Sequence, residues 1–385
     1  MKINSFLIIS FLLIITLHSS AQKEYIKISV DDPDYYQNNN LHKVKYFEEP
    51  NTNTKPKNVI LLIGDGMGTS QVYAAMVANG GELFFNNFKN IGFSKTYSAD
   101  NLITDSAAGG TALATGEKTY NGAIGLNKDT VSIPNIREKA EAKGMATGVV
   151  STSVITHATP ASFVAHQPDR DMYEEIAGDF LKTNIDVFIG GGSINFNKRK
   201  DKKDLTAILK DKGYQVVYGI EEISKISNGK LAGFTSEDHN PGKLKGRGEE
   251  LPIATTTAIN ILDNDPDGFF LMVEGSQIDW GGHANHTGYV ISEVLDLDLA
   301  IGAALEFASQ NKETLVIVTA DHETGGFSVE NGNIQNHSIT GDFTTVNHTG
   351  SMVPVYSFGP GSENFKGVMQ NTDIPKKISE LLDLK

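Results

Sequence analysis

The 385-residue chain has no cysteine. That absence excludes disulfides, thiolate metal sites, a lipoprotein anchor and a cysteine nucleophile. Tryptophan occurs once, and arginine only at 137, 170, 199 and 247. No Lys/Arg-rich stripe is present, and the formal net charge is −14. Both argue against general nucleic-acid binding. Divalent cations held by the acids would cancel part of that charge. Long apolar runs are also scarce. Phe6 to Leu17 is the one that stands out, and it is too short for a permanent membrane anchor. It follows the basic Met1-Lys2 and precedes Ser19-Ser20-Ala21, so residues 1–21 read as a signal peptide cleaved after Ala21. A periplasmic or secreted protein is expected. The alternative, a first buried helix, fits poorly with the polar, irregular stretch behind it.

Three apolar runs each end in a carboxylate. They are Asn58 to Asp65, Phe269 to Glu274 and Leu315 to Asp321. Runs this apolar read as parallel strands buried on both faces. Open α/β sheets place their ligands at the C-terminal ends of such strands. Acids converging there repel one another unless something positive neutralises them. His322 follows Asp321 directly, so a metal ion is the expected partner.

Residues 22–57 are polar, with prolines at 33, 50 and 56, and read as an extended N-terminal arm. From residue 58 strands alternate with helices. Helices are expected over 70–79, 134–143, 172–182, 252–262 and 292–308, and strands over 146–151 and 186–189. This alternation predicts an α/β three-layer sandwich with a mostly parallel central sheet flanked by helices. Residues 197–250 contain the charge run Asn197 to Lys203 and a Gly/Lys/Asp-rich stretch, and read as a peripheral lobe of one domain spanning 58–385. The charge run is expected to be a solvated face, and Gly190-Gly191-Gly192 a plain turn.

Ten histidines are present, five of them in short polar segments beside acids or glycines: His157, His283, His286, His322 and His348. Asp and His are the zinc ligands left when thiols are missing, whereas oxygen-only sets suit magnesium. Asp279 and His283 are spaced to share one face of a helical turn, although Gly281-Gly282 weakens that helix. Asp105 reads as a helix N-cap and Ser106 as the first residue of an alanine-rich helix. Helix N-termini attract anions, so Ser106 is placed to bind phosphate or to attack it; a plain capping role is the competing reading. Arg170 offers a guanidinium fork for phosphate, with a surface ion pair to Asp169 or Asp171 as the alternative.

These segments resemble alkaline phosphatases of the metal-dependent bacterial type. The resemblance rests on Gly64-Asp65-Gly66-Met67-Gly68, Thr104 to Ala108, Ala158-Thr159-Pro160-Ala161, Val273-Glu274-Gly275, Thr319 to His322 and His348-Thr349-Gly350, and covers residues 58–360. It implies hydrolysis of small-molecule phosphate monoesters through a phosphoserine at Ser106. It implies two zinc ions, one held by Asp279, His283 and His348, the other by Asp65, Asp321 and His322. A third metal, usually magnesium, would sit with Asp65, Thr159 and Glu274. Arg170 would clamp phosphate, oriented by Asp105. His286 matches no ligand of the family. Two positions depart from the best-studied bacterial pattern: His157 replaces an aspartate and Trp280 a lysine. His157 could bring a nitrogen ligand and favour zinc or cobalt at the third site, and Trp280 borders the phosphate without a charge. The resemblance also suggests a homodimer. A diesterase on the same scaffold and a non-catalytic phosphate-binding protein are the alternatives.

Overall fold

A strand that is apolar at every position must be covered on both sides, because successive side chains point to opposite faces. The computed structural model, which describes residues 33–385, shows how that is met. Ile60 and Leu62 enter one core with Leu271, Val273, Val316 and Val318. Val59, Leu61 and Ile63 enter another with Phe270, Met272, Leu315 and Ile317. The helices Thr69–Ala78, Glu250–Leu262 and Thr287–Asn311 cover the first face. Ser106–Thr115, Ile136–Ala142, Tyr173–Phe180, Leu205–Asp211 and Asp373–Leu381 cover the second. Each aliphatic side chain buried this fully contributes about 1.5–3 kcal/mol.

The sheet between these layers has ten strands among the described residues. In spatial order they are Gly367–Gln370, Asn90–Lys95, Val353–Phe358, Thr314–Thr319, Asn58–Gly64, Phe269–Gly275, Ala146–Val154, Val187–Gly191, Leu231–Phe234 and Gln215–Tyr218. Only Val353–Phe358 runs against its neighbours; every other pairing is parallel. The observed arrangement is the expected three-layer α/β sandwich.

Several details differ from the sequence reading for identifiable reasons. The helix expected from Ser292 begins at Thr287, because the His286 ring caps it by accepting from the Tyr289 N–H at 3.0 Å. Its polar residues Glu293 and Asp296 are buried against Arg247 and Lys243. Residues 197–250 supply the last two strands of the sheet, so this segment extends the same sheet at its outer end. The charge run within it is largely exposed.

The export signal expected over 1–21, and the arm as far as residue 32, lie outside the described residues. The rest of the arm lies along its own chain. Tyr35–Gln37 pairs antiparallel with Ser338–Thr340. His42 Nε2 meets Asp298 Oδ2 at 2.6 Å, and Asn87 Oδ1 accepts from the Phe47 N–H at 2.7 Å. No helix among the described residues is long and apolar enough to cross a membrane.

Candidate active site

The acids gather because their strands are neighbours in register. Ile63 lies opposite both Glu274 and Thr319, so Asp65, Glu274 and Asp321 emerge side by side at one edge of the sheet. The ladder runs one step further, with the Asp65 N–H donating to Gly275 O at 3.1 Å. All three carboxylates are fully buried. Both oxygens of Asp65, Oδ2 of Asp321 and Oε1 of Glu274 have no hydrogen-bond donor among the described residues. Burial first, then repulsion from Asp321, Asp279 and Glu274, pushes Asp65 well above the usual carboxylate range. Burial, with Asp279 and Glu274, lifts Asp321 to about 7. Burial also raises Glu274, although Ser276 and Ser151 donate to its Oε2 at 2.6 and 2.7 Å. Buried acids in this state need a positive group, since each isolated charge costs several kcal/mol.

Imidazoles complete the cluster. Asp279 and His283 lie on one helix, Gln277–His283. The glycines between them have a packing cause. A Cβ at Gly281 would sit 2.7 Å from Val290 N, and one at Gly282 would sit 2.8 Å from Thr324 O. His283 Nδ1 bonds Val346 O at 2.6 Å, and His348 Nδ1 bonds Thr104 O at 2.8 Å. A carbonyl can only accept, so each Nδ1 carries the proton and each Nε2 turns a lone pair inward. The two Nε2 atoms stand 3.1 Å apart, and 3.3 and 3.4 Å from Asp279 Oδ1. Two acceptors facing each other at that distance are the arrangement of ligands converging on one cation. Burial opposes the charge on Asp279, yet His283 and His348 hold it well below the usual range.

His322 sits at the centre. Its Nε2 is 3.4 Å from Asp65 Oδ1, 3.4 Å from Asp321 Oδ2 and 3.2 Å from Ser106 Oγ. Burial, then His348, holds it well below the ordinary histidine value, which favours the neutral imidazole. Three groups of donor atoms lie close enough to share an ion: Asp279 with His283 and His348, Asp65 with Asp279 and His322, and Asp65 with His157 and Glu274. Asp321 adjoins the second through His322.

Ser106 opens its helix behind the N-cap Asp105, whose Oδ1 accepts from the Ala108 N–H at 2.9 Å. Asp105 Oδ2 takes the Gly122 N–H at 3.0 Å and Arg170 Nη1 at 3.1 Å. Arg170 therefore pairs with Asp105, and its Nη2 lies 3.4 Å from His157 Nε2. Burial works against the guanidinium charge, and Asp105 and Tyr173 more than restore it. Trp280 is 4% exposed and meets His157 edge to face, with ring centroids 6.1 Å apart. Two participants escaped the sequence reading. Thr324 Oγ1 donates to Asp279 Oδ1 at 2.5 Å, and the His239 ring lies 4.9 Å from that of Trp280. Thr324 carried no signal beyond its nearness to His322, and His239 sits in a stretch that reads as lobe.

A family model described as alkaline phosphatase matches residues 56–341. Alkaline phosphatase 4 of Bacillus subtilis (strain 168) is 36% identical over 411 residues, covering 85% of this chain and 88% of its own. The alkaline phosphatase of the Antarctic bacterium TAB5 is 45% identical, covers 86% of this chain and 99% of its own, and superposes with a TM-score of 0.82. Structures of that enzyme with a histidine changed to aspartate or glutamate carry magnesium in what is called the M3 site. A cold-active alkaline phosphatase from Shewanella sp. is 30% identical, covers 84% of this chain and 99% of its own, and has a TM-score of 0.78. The similarity spans most of the chain that carries these residues: the chain belongs to the alkaline phosphatase family, whose reaction is the hydrolysis of phosphate monoesters.

Proposed function

We propose that this protein hydrolyses phosphate monoesters in two displacements, with Ser106 as the nucleophile. The observation that carries the reading is the place of Ser106 Oγ. It stands at a helix N-terminus, 3.2 Å from His322 Nε2, beside Asp65, Glu274 and Asp321, three carboxylates that burial pushes toward the neutral form unless cations offset it. In the first displacement the Ser106 oxygen bonds to phosphorus, the P–O bond to the alcohol breaks, and the alcohol leaves with the serine's proton. In the second, water bonds to phosphorus, the Ser106–phosphorus bond breaks, and Ser106 recovers a proton as phosphate is released. Charge spreads over the non-bridging oxygens in both. Arg170, held by Asp105, and the free N–H groups at the start of the Ser106 helix are placed to bind those oxygens.

The donor sets fit divalent cations, and orphaned oxygens on Asp65, Glu274 and Asp321 support that fit. Asp279, His283 and His348 would hold one zinc, and Asp65, Asp321 and His322, with Asp279 close by, a second. Asp65, Thr159, Glu274 and His157 would hold the third ion. His157 is read as the counterpart of the histidine exchanged in the TAB5 variants, and its nitrogen favours zinc or cobalt over magnesium. Bound ions would neutralise the acids, activate the serine hydroxyl and stabilise the departing oxygen. Export across the membrane and pairing of two copies complete the proposal.

The test uses the exported protein with p-nitrophenyl phosphate at alkaline pH. Chelation should abolish turnover, and added zinc and magnesium should restore it. Ser106→Ala should lose on the order of 10³-fold or more in kcat, as expected when a nucleophile is removed from an otherwise intact site. Full turnover by that variant would refute the covalent route.

A further inference from the structure

Trp280 is the single tryptophan of the chain, and it is flanked by two imidazoles. His157 meets it at 83° with centroids 6.1 Å apart, and His239 at 82° with centroids 4.9 Å apart. The imidazoles also meet each other, at 81° and 5.9 Å. The three rings therefore form one edge-to-face set, with His157 in the Asp65–Glu274 donor group and Trp280 next to Asp279. Edge-to-face pairs fix ring orientation as well as distance.

His239 comes from the surface segment 236–250, and its position is held from several sides. The Val154 N–H donates to His239 Nδ1 at 3.2 Å, so the neutral ring bears its proton on Nε2. The preceding residues close on the glycine triplet. Asp238 O accepts from the Gly192 N–H at 3.1 Å, and a Cβ on Gly191 would lie 2.4 Å from Asp238 O. Asn240 O accepts from Gln277 Nε2 at 2.9 Å, on the same helix as Asp279, Trp280 and His283. Further along, Arg247 is buried between Glu293 and Asp296, and Lys243 Nζ meets Asp296 Oδ1 at 2.7 Å. The backbone N–H of Lys243 donates to Glu293 Oε1 at 2.7 Å. Arg247 Nη1 bonds Pro241 O at 3.2 Å. A strap pinned at both ends thus presses one ring against Trp280.

From this we infer that His239 is a positioning residue. By packing against Trp280 and His157 it fixes the His157 ring toward Asp65 and Glu274, and so sets the affinity of that subsite for its divalent cation. The inference rests on the reading that those residues hold a third ion. Groups that orient a metal's ligands change affinity about 10- to 100-fold when removed, and His239 acts on a ligand in this way.

Trp280 supplies the readout, since its fluorescence comes from within the ring set. Chelator-stripped full-length protein, wild type, His239→Ala and His239→Phe, is titrated with Mg²⁺ and followed by tryptophan emission. The half-saturating Mg²⁺ should rise about 10- to 100-fold in His239→Ala and stay at the wild-type value in His239→Phe, which keeps a ring of similar outline. Circular dichroism of each variant establishes that it is folded. A His239→Ala protein with the wild-type midpoint overturns the inference, and so does a His239→Phe protein that behaves like the alanine variant. Wild-type protein that hydrolyses monoesters without any emission response to Mg²⁺ overturns it as well, and leaves the proposed reaction standing. Wild-type protein that shows neither overturns both.

Discussion

Arg170→Ala gives the sharpest separation between phosphate binding and scaffold. The guanidinium spends Nη1 on Asp105, at 3.1 Å, and sets Nη2 3.4 Å from His157 Nε2, which leaves its remaining N–H donors for an anion. Asp105 itself keeps the Ala108 and Gly122 N–H groups, at 2.9 and 3.0 Å, when the arginine is removed. The helix cap that places Ser106 therefore survives the substitution. What is lost is hydrogen bonding from a charged group to phosphate, worth about 1.5–3 kcal/mol net. At 1.4 kcal/mol per tenfold, that is a loss of about tenfold to a hundredfold in affinity. The assay is competitive inhibition of p-nitrophenyl phosphate hydrolysis by inorganic phosphate, run beside metal analysis of the same sample. The inhibition constant should rise by that factor while metal per chain stays unchanged. Arg170→Lys should recover part of the loss, because it restores charge without the planar fork. An unchanged phosphate inhibition constant in the alanine variant would show that Arg170 serves Asp105 alone.

Two further outcomes follow from packing and from ionisation. Gly282→Ala forces a Cβ to within 2.8 Å of Thr324 O, where backbone faces backbone, so a loss of about 1–3 kcal/mol is expected. It should appear as a lower melting temperature with weaker metal retention; an unaltered melting temperature would remove the packing account of this glycine. Glu138→Gln tests a pair distant from the cluster. His166 Nε2 lies 2.9 Å from Glu138 Oε1. That bond raises His166 above its usual value. Glu138 falls below its own value, because His166 and the Asn135 N–H outweigh burial. The raised histidine stabilises the fold below its unfolded value of about 6.5 and ceases to do so as pH rises through its folded value. The lowered glutamate stabilises above about 4.3 and ceases to do so as pH falls through its folded value. The difference in melting temperature between wild type and Glu138→Gln should be greatest at about pH 5–6 and shrink toward alkaline pH. Glutamine can still cap Asn135, so a constant difference would point away from the ion pair.

Much of the site was legible because its signals are local. An apolar run that ends in an acid marks a strand and its C-terminal edge at once, which is how Asp65, Glu274 and Asp321 stood out. The spacing of Asp279 and His283 pointed to one helical face in spite of the two glycines. The structure shows why glycine is required there, through neighbours at Val290 and Thr324 that no local pattern exposes. His239 was illegible for a similar reason. Its partner Trp280 lies 41 positions away, and long-range anchoring through Asn240, Lys243 and Arg247 brings them together. The early start of the Thr287–Asn311 helix was hidden because its cap is the His286 ring, which accepts from the Tyr289 N–H, and histidine is not among the usual N-cap residues.

The three central strands that carry the acids have a consequence for the life of the molecule. Their mutual contacts join positions far apart in sequence: Asn58 bonds the Phe269 N–H across 211 residues and the Thr314 hydroxyl across 256. No fragment emerging early in synthesis contains the whole ligand set, and closing such long loops is slow. Uptake of the proposed ions would then be among the last events of maturation, available only to chains whose middle strands have already met. Loading with metal would thus certify completed folding, and a nascent or misassembled copy would stay silent as an enzyme until that certificate is issued.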